Sequence, residues 1–186
     1  LPIIENVATD SEPALASRGQ ELMLLYVTDN GNPNELQFTD IKWTYYDGTN
    51  WTTPTDIQTD TRAEFAPQVA FDGNGNAIAV WERVAAMNLT DTNLTATAEQ
   101  MEIVWSRWNR TNHTWSAPAE ITSNNSLDHA PRLCGPMASG DVLFTWTMNT
   151  SNLLTGTGAV GAPDNSTVIA SRWIAASSTW ASPEPL

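Results

Sequence analysis

Three stretches of this chain share one pattern of Trp, Pro and an aliphatic residue. They read Trp51-Thr-Thr-Pro54-Thr-Asp-Ile57, Trp115-Ser-Ala-Pro118-Ala-Glu-Ile121 and Trp180-Ala-Ser-Pro183-Glu-Pro-Leu186. Because three residue types recur together at fixed spacing, the pattern indicates an internal repeat, which is the first feature to seek in a sequence of this length.

A second proline extends the pattern, since it follows the closing Ile of a repeat after ten residues. The interval holds from Ile3 to Pro13, from Ile57 to Pro67 and from Ile121 to Pro131. We therefore divide the chain into three propeller repeats, at residues 1–58, 59–122 and 123–186.

Each repeat contains short β-branched and aromatic stretches bounded by Gly, Asn, Asp and Pro, as strands are. In the second repeat these are Gln68–Phe71, Ala77–Trp81, Ile103–Trp108 and the closing Trp segment. Four strands in a repeat of this length are typical of a β-propeller blade. The sequence therefore predicts an all-β fold of three four-stranded antiparallel blades, with the repeated Trp and Tyr packed between neighbouring blades.

The turn between the third and fourth strands resembles the Asp-box of BNR repeats in sialidase-like propellers, which reads Ser-x-Asp-x-Gly-x-Thr-Trp. The first repeat has Asp47-Gly48 before Trp51, and the others keep Thr before the closing Trp, at Thr114 and Thr179. The resemblance implies a propeller fold. Sialidase-like enzymes would also need an arginine triad and an acid–nucleophile set at the centre of the ring, and we map neither onto this sequence.

Closed propellers have four to eight blades, and this chain holds three. We expect it to be part of a larger propeller, or to assemble with a second chain, for instance as two halves of a six-bladed ring. The expected partners are therefore other blades of the same or a second chain, and glycans.

The charge of the chain excludes two classes of partner. The net charge is -13, and Lys42 is the single lysine beside seven arginines. Such a surface repels phosphates, so we expect no nucleic-acid partner. No run of about 18 apolar residues occurs, which argues against direct membrane insertion.

Candidate metal and thiol sites are weak in this sequence. His113 and His129 have no partners at metal-ligand spacing, and Cys134 aligns with alanines of the other repeats, which predicts a small buried residue. The stretch 72–76, Asp-Gly-Asn-Gly-Asn, begins like a calcium loop but has Arg83 at its twelfth position, so it predicts a hairpin turn. We therefore expect no metal and no cofactor.

Acidic residues suited to glycoside hydrolysis are present, but sequence alone does not show which of them face each other. Those available are Glu64, Glu82, Glu99 and Glu102. Because nothing singles one out, we assign no catalytic or ligand-binding residue and predict that the chain is not an enzyme.

N-glycosylation acceptor patterns are more frequent than the composition predicts, which points to a secreted or cell-envelope glycoprotein. The predicted acceptor residues are Asn50, Asn88, Asn93, Asn109, Asn112, Asn124, Asn149 and Asn165. These considerations favour a non-catalytic propeller module of an extracellular glycoprotein, with a structural or protein-interaction role.

Two alternatives remain open. A carbohydrate-binding, lectin-like propeller would show aromatic residues exposed on one face. A fragment of a sialidase-like glycoside hydrolase would show Arg and Glu residues converging at the ring centre.

Overall fold

The computed structural model describes Ile4, Val7, Ala8 and residues 11–29, 39–84, 97–152 and 165–186. These residues form three antiparallel sheets. Sheet 1 comprises β1 (Ala14–Arg18), β2 (Glu21–Thr28), β3 (Asp40–Tyr46) and β4 (Thr55–Asp56). Sheet 2 comprises β5 (Glu64–Phe71), β6 (Ala77–Val84), β7 (Met101–Asn109), β8 (Thr114–Trp115) and β9 (Ala119–Glu120). Sheet 3 comprises β10 (Leu127–Cys134), β11 (Val142–Asn149), β12 (Ser166–Ile174), β13 (Thr179–Trp180) and β14 (Glu184–Pro185).

In every sheet the first four strands follow chain order, each paired with the one before it. In sheets 2 and 3 the fourth strand is split into two short segments, since β8 and β9 both pair with β7, and β13 and β14 both pair with β12. In sheet 1 a single bridge between Tyr46 and Trp51 replaces the first segment. The prediction of an all-β chain with antiparallel sheets is confirmed.

The turn between β5 and β6 is built by the side chain of Asp72. Its Oδ1 accepts backbone N–H groups of Asn74 and Asn76, both at 2.9 Å. Gly75 has a φ of 82°, which glycine adopts at little steric cost. The hairpin turn predicted for this stretch is confirmed.

The first strands of sheets 2 and 3 carry a bulge at the same point. Ala66 has a φ of 48° and Ala130 one of 55°, and the pairing register shifts beside each. The residue that follows is Pro67 or Pro131, which has no N–H to give to the ladder. The proline of the repeat thus marks a bulge, with an acidic residue three positions earlier at Glu64 and Asp128.

The three sheets pack face to face, sheet 1 on sheet 2 and sheet 2 on sheet 3. Their first strands lie side by side, since β5 contacts both β1 and β10. Met23 and Leu25 of sheet 1 share a buried cluster with Trp108 of sheet 2. The next interface buries Ile78 of sheet 2 against Trp173 of sheet 3.

The same trio of indoles occurs at both interfaces. The ring centroid of Trp43 in sheet 1 lies 6.3 Å from that of Trp108 and 6.0 Å from that of Trp115, both in sheet 2. One sheet further on, the trio is Trp105 with Trp173 at 5.1 Å and Trp180 at 5.7 Å. The repeated Trp residues therefore pack between sheets, as the sequence predicts.

Cys134 corrects one expectation, because it is exposed and not buried. Its counterpart Ala70 is 4% exposed, since sheet 3 covers it. Cys134 lies on the far face of sheet 3, where none of the described residues packs, so the repeat position alone does not decide its burial.

No helix among the described residues is long and apolar enough to cross a membrane.

Candidate functional site at the beginning of the first strands

A buried carboxyl group lies where the first strand of sheet 2 begins. The indole N–H of Trp81 donates to Oε1 of Glu64 at 2.8 Å, and the backbone N–H of Ile41 in sheet 1 donates to Oε2 at 3.2 Å. Burial raises the pKa of Glu64 to about 7, against the lowering effect of these two hydrogen bonds. Glu64 thus joins sheets 1 and 2 and is poised to be protonated near neutral pH.

Asp128 occupies the same position in sheet 3. It accepts the indole N–H of Trp146 at 2.7 Å and the side-chain amide of Asn124 at 2.7 Å. Burial raises the pKa of Asp128 as well. Because both oxygens of Glu64 and of Asp128 are taken up by such hydrogen bonds, we assign these two acids to the packing of the sheets. The first repeat has Asp10 at this position, outside the described residues.

Glu82 differs from these acids because it breaks the repeat. It follows the aromatic residue of the second strand, where the other repeats have Val27 and Thr147. Its Oε1 accepts the backbone N–H of Ala130, the bulge residue of β10, at 2.7 Å. The side chain thus reaches from sheet 2 to the first strand of sheet 3.

The surroundings of Glu82 combine both signs of charge. Burial is the main cause that raises its pKa, Arg132 lowers that pKa through its positive charge, and Glu12 raises it through its negative charge. These residues come from all three sheets or the segments that enter them. Because its pKa is raised, such a carboxyl group keeps its proton to higher pH than an exposed one does and can release it to a bound molecule.

The structure brings all four candidate glutamates of the sequence to this end of sheet 2. Oε1 of Glu102 accepts the backbone N–H of Asn124 at 2.7 Å, and Glu99 accepts the side-chain amide of Asn152 at 3.2 Å. Both groups therefore support loops. Glu82, whose Oε1 likewise accepts a backbone N–H, differs from them because it lies beside Arg132 and departs from the repeat. Comparing the repeats with one another is the sequence signal that could have found it.

The two histidines lie at opposite ends of the sheets. His129 stands next to the bulge of β10, and burial lowers its pKa. His113 lies beyond the end of β7 and stacks on Trp108 at 5.2 Å. Among the described residues no group of three or more His, Cys, Asp or Glu could hold a metal ion.

The predicted glycosylation residues are scattered over the surface and interior. Asn50, Asn112, Asn124 and Asn165 are exposed, and Asn109 is half-buried. Asn149 is 3% exposed, and its amide donates to Ser166 at 3.0 Å, so a glycan there would have to displace this bond. Asn88 and Asn93 lie outside the described residues. Glycan attachment at these residues stays a prediction.

Comparisons with known proteins agree on the fold. No protein-family model and no curated protein matches the chain. Among solved structures, the Hadza microbial sialidase Hz136 matches with a TM-score of 0.62 and 17% identity over 90% of this chain and 36% of its own. Trypanosoma rangeli sialidase in complex with 2,3-difluorosialic acid matches with a TM-score of 0.56 and 9% identity over 91% and 29%. A GH43_12 protein from capybara gut metagenome matches with a TM-score of 0.53 and 13% identity over 94% and 29%.

The chain spans about a third of the length of these structures. The prediction that it is not an enzyme is contradicted, because the structures with this fold are mostly enzymes. A motif within a single segment would not reveal such a site, because the charged groups around Glu82 come from separate repeats. At these identities the likeness shows the fold, which is a propeller-like all-β architecture used by carbohydrate-active proteins.

Proposed function

We propose that this chain forms three blades of a carbohydrate-active β-propeller enzyme, in which Glu82 is the general acid for cleavage of a glycosidic bond. The observation that carries the proposal is the meeting of Glu82, Glu12 and Arg132 at the first strands. Convergent Arg and Glu residues at this place are what the hydrolase alternative requires, and the likeness to a sialidase and a GH43_12 protein supports the same class.

The chemistry needs two carboxyl groups with different proton affinities. Burial raises the pKa of Glu82, so this group donates its proton to the oxygen of the departing sugar. Glu12 is exposed and acts as the general base: it takes a proton from the attacking water, whose oxygen bonds to the sugar carbon as the bond from that carbon to the departing oxygen breaks. Water supplies the hydroxyl group of the product, and Arg132 binds a negatively charged group of the substrate.

The described residues favour this reading over a lectin. The large hydrophobic residues exposed among them are aliphatic, namely Val7, Leu15, Leu143, Val168 and Leu186. Trp81, Trp108 and Trp173 are at most 1% exposed, because they pack within and between the sheets. The other Trp, Tyr and Phe residues that the structure describes are buried or half-buried, and none of them is exposed as a stacking platform would be.

We further propose that the enzyme acts outside the cell, as the acceptor patterns of the sequence suggest, and that further blades of the same or a second chain complete the ring.

The test is release of reducing sugar by the full-length natural protein from a panel of polysaccharides and sialylated glycans. We expect at least one substrate to be cleaved, and Glu82→Gln to lower kcat by at least 100-fold, in the range of general acid catalysis. Glu184→Gln, which changes an exposed carboxyl group of β14, is the matched control and should keep wild-type activity. Equal activity of wild type and E82Q would overturn the assignment.

A further inference from the structure

A polar cleft lies at the opposite end of sheets 1 and 2 from Glu82. It has a volume of about 460 Å³ and is lined by residues at the end of β7, by residues of the turns that follow β5 and β7, and by Glu21 and Tyr45 of sheet 1. Ala77 begins β6 on the cleft side, and at about 3.3 Å per residue Glu82 lies roughly 17 Å away along the same strand. The cleft is therefore separate from the site proposed for catalysis.

The cleft has an unusual charge for this protein. The chain has 8 basic and 21 acidic residues, yet two arginines, Arg107 and Arg110, and one carboxylate, Glu21, line the cleft. A third arginine, Arg18, bonds the other oxygen of Glu21 at 2.9 Å. Asp47 lies near His113 of the cleft, and its Oδ1 accepts two backbone N–H groups of its own turn. A positive cleft on a strongly acidic protein attracts anions that the rest of the surface repels.

Glu21 acts as an anchor in this cleft. It accepts hydrogen bonds from Arg110 at 2.7 Å and from the hydroxyl of Tyr45 at 2.6 Å. These bonds and the one from Arg18 hold the pKa of Glu21 at about 2, despite the opposing effect of burial. The carboxylate therefore stays charged and fixes the direction of the Arg110 side chain.

Arg107 is the cation that remains available. Its guanidinium lies 5.9 Å from the ring centre of Trp173, and it makes no ion pair with any described residue. Its Nε is buried and has no hydrogen-bond partner among them. The residue as a whole is half-buried and lines the cleft, and no ion pair among the described residues neutralises its charge, so its guanidinium suits an acceptor group brought by a ligand.

Neighbouring groups add hydrogen-bonding capacity and rigidity. His113 lines the cleft while stacked on Trp108 at 5.2 Å and edge-on to Tyr45 at 5.4 Å. Gly75 leaves room for the arginines, because a Cβ there would stand 2.9 Å from Cζ of Arg18 and 3.0 Å from Cδ of Arg110. Ring packing thus fixes His113, and the glycine lets two arginine side chains lie against the turn.

We propose that this cleft binds an oxyanion, a carboxylate or a sulfate, carried on a sugar, with Arg107 as its principal ligand. Arginine pairs with carboxylate and sulfate through parallel N–H bonds, and the surrounding amides and hydroxyls suit the polar remainder of a saccharide. The site stands apart from the proposed catalytic function and does not depend on it.

The test is isothermal titration of the full-length protein with sodium glucuronate, sodium sulfate and, as the neutral control, glucose. We expect glucuronate or sulfate to bind and glucose not to bind. Arg107→Gln should weaken anion binding at least tenfold, whereas Arg107→Lys, which keeps the charge, should retain most of it. Binding should also weaken as ionic strength rises.

Arg172→Gln is the matched control. Arg172 occupies the equivalent register position in sheet 3, opposite Leu143 as Arg107 is opposite Ile78, and its substitution removes the same charge. R172Q and E82Q should both bind the anion like wild type, so a failed catalytic assignment would leave this result unchanged. Three results would overturn the proposal: absence of anion binding, equal binding of glucose, or unchanged affinity in a folded R107Q variant. The relative affinity of glucuronate and sulfate identifies the oxyanion.

Discussion

Replacing Glu64 by Gln should change how the stability of the protein depends on pH. The folded-state pKa of Glu64 is about 7, above its ordinary value of 4.5, because the group is buried between sheets 1 and 2. The folded state therefore binds a proton that the unfolded state has already lost between these values. The stability that the protonated group contributes is fully present below pH 4.5 and is lost as the pH rises through 7.

The magnitude follows from the two pKa values. Between pH 5 and pH 8 the wild-type protein should lose about 2.5 kcal/mol of unfolding free energy through Glu64 alone. In E64Q the amide oxygen can still accept the N–H of Trp81, but the amide nitrogen would face the N–H of Ile41, at a cost of about 1 kcal/mol at every pH. The variant should thus be less stable than wild type at pH 5 and more stable at pH 8.

The assay is urea unfolding at pH 5, 6, 7 and 8, followed by tryptophan fluorescence, since Trp81 touches the altered group. Glu21→Gln serves as a control. The folded-state pKa of Glu21 is about 2, so this group has lost its proton in both states above pH 6. The difference in unfolding free energy between E21Q and wild type should therefore stay constant from pH 6 to 8. A constant difference between wild type and E64Q over the same range would refute the reasoning.

Two further substitutions test the packing between sheets. Trp105→Ala removes the indole that packs on Trp173 and Trp180. The substitution should lower the free energy of unfolding, measured in urea, by about 3 kcal/mol. A loss below about 1 kcal/mol would mean that the indole trio does not hold sheets 2 and 3 together. Gly73→Ala places a Cβ 2.5 Å from Cα of Gly140, at the point where the N–H of Gly73 donates to the carbonyl of Gly140. The two turns must then separate, which should lower the free energy of unfolding by about 1–3 kcal/mol. An unchanged unfolding midpoint in urea would contradict this close approach.

The sequence predicts much of the fold because the fold is repetitive. The spacing of Trp115 and Trp180 from their prolines marks equivalent segments, and both indoles occupy equivalent places between sheets. The Asn-Gly turn after Asp72 could also be predicted, since its geometry depends on local residues alone. Cys134 could not, because its exposure depends on which sheet covers it.

The candidate catalytic site was harder to predict for a physical reason. The raised pKa of Glu82 arises from burial against a neighbouring sheet, and its charged neighbours Arg132 and Glu12 are 50 and 70 residues away along the chain. No local pattern encodes such a meeting. What the sequence does contain is the departure from the repeat, where Glu82 stands in place of an aliphatic or hydroxyl side chain. The same reasoning applies to Arg107, which stands out once its lack of an ion pair among the described residues is known.

The measurement that most directly tests the proposed function is a crystal structure of the full-length E82Q variant soaked with the saccharide that the wild-type protein cleaves. We expect the sugar to lie at the beginning of β5 and β10, with the oxygen of the scissile bond within hydrogen-bonding distance of residue 82 and a polar or charged group of the sugar on Arg132. A saccharide bound elsewhere, with no contact to residue 82 or Arg132, would contradict the proposal that this end of the sheets is the active site.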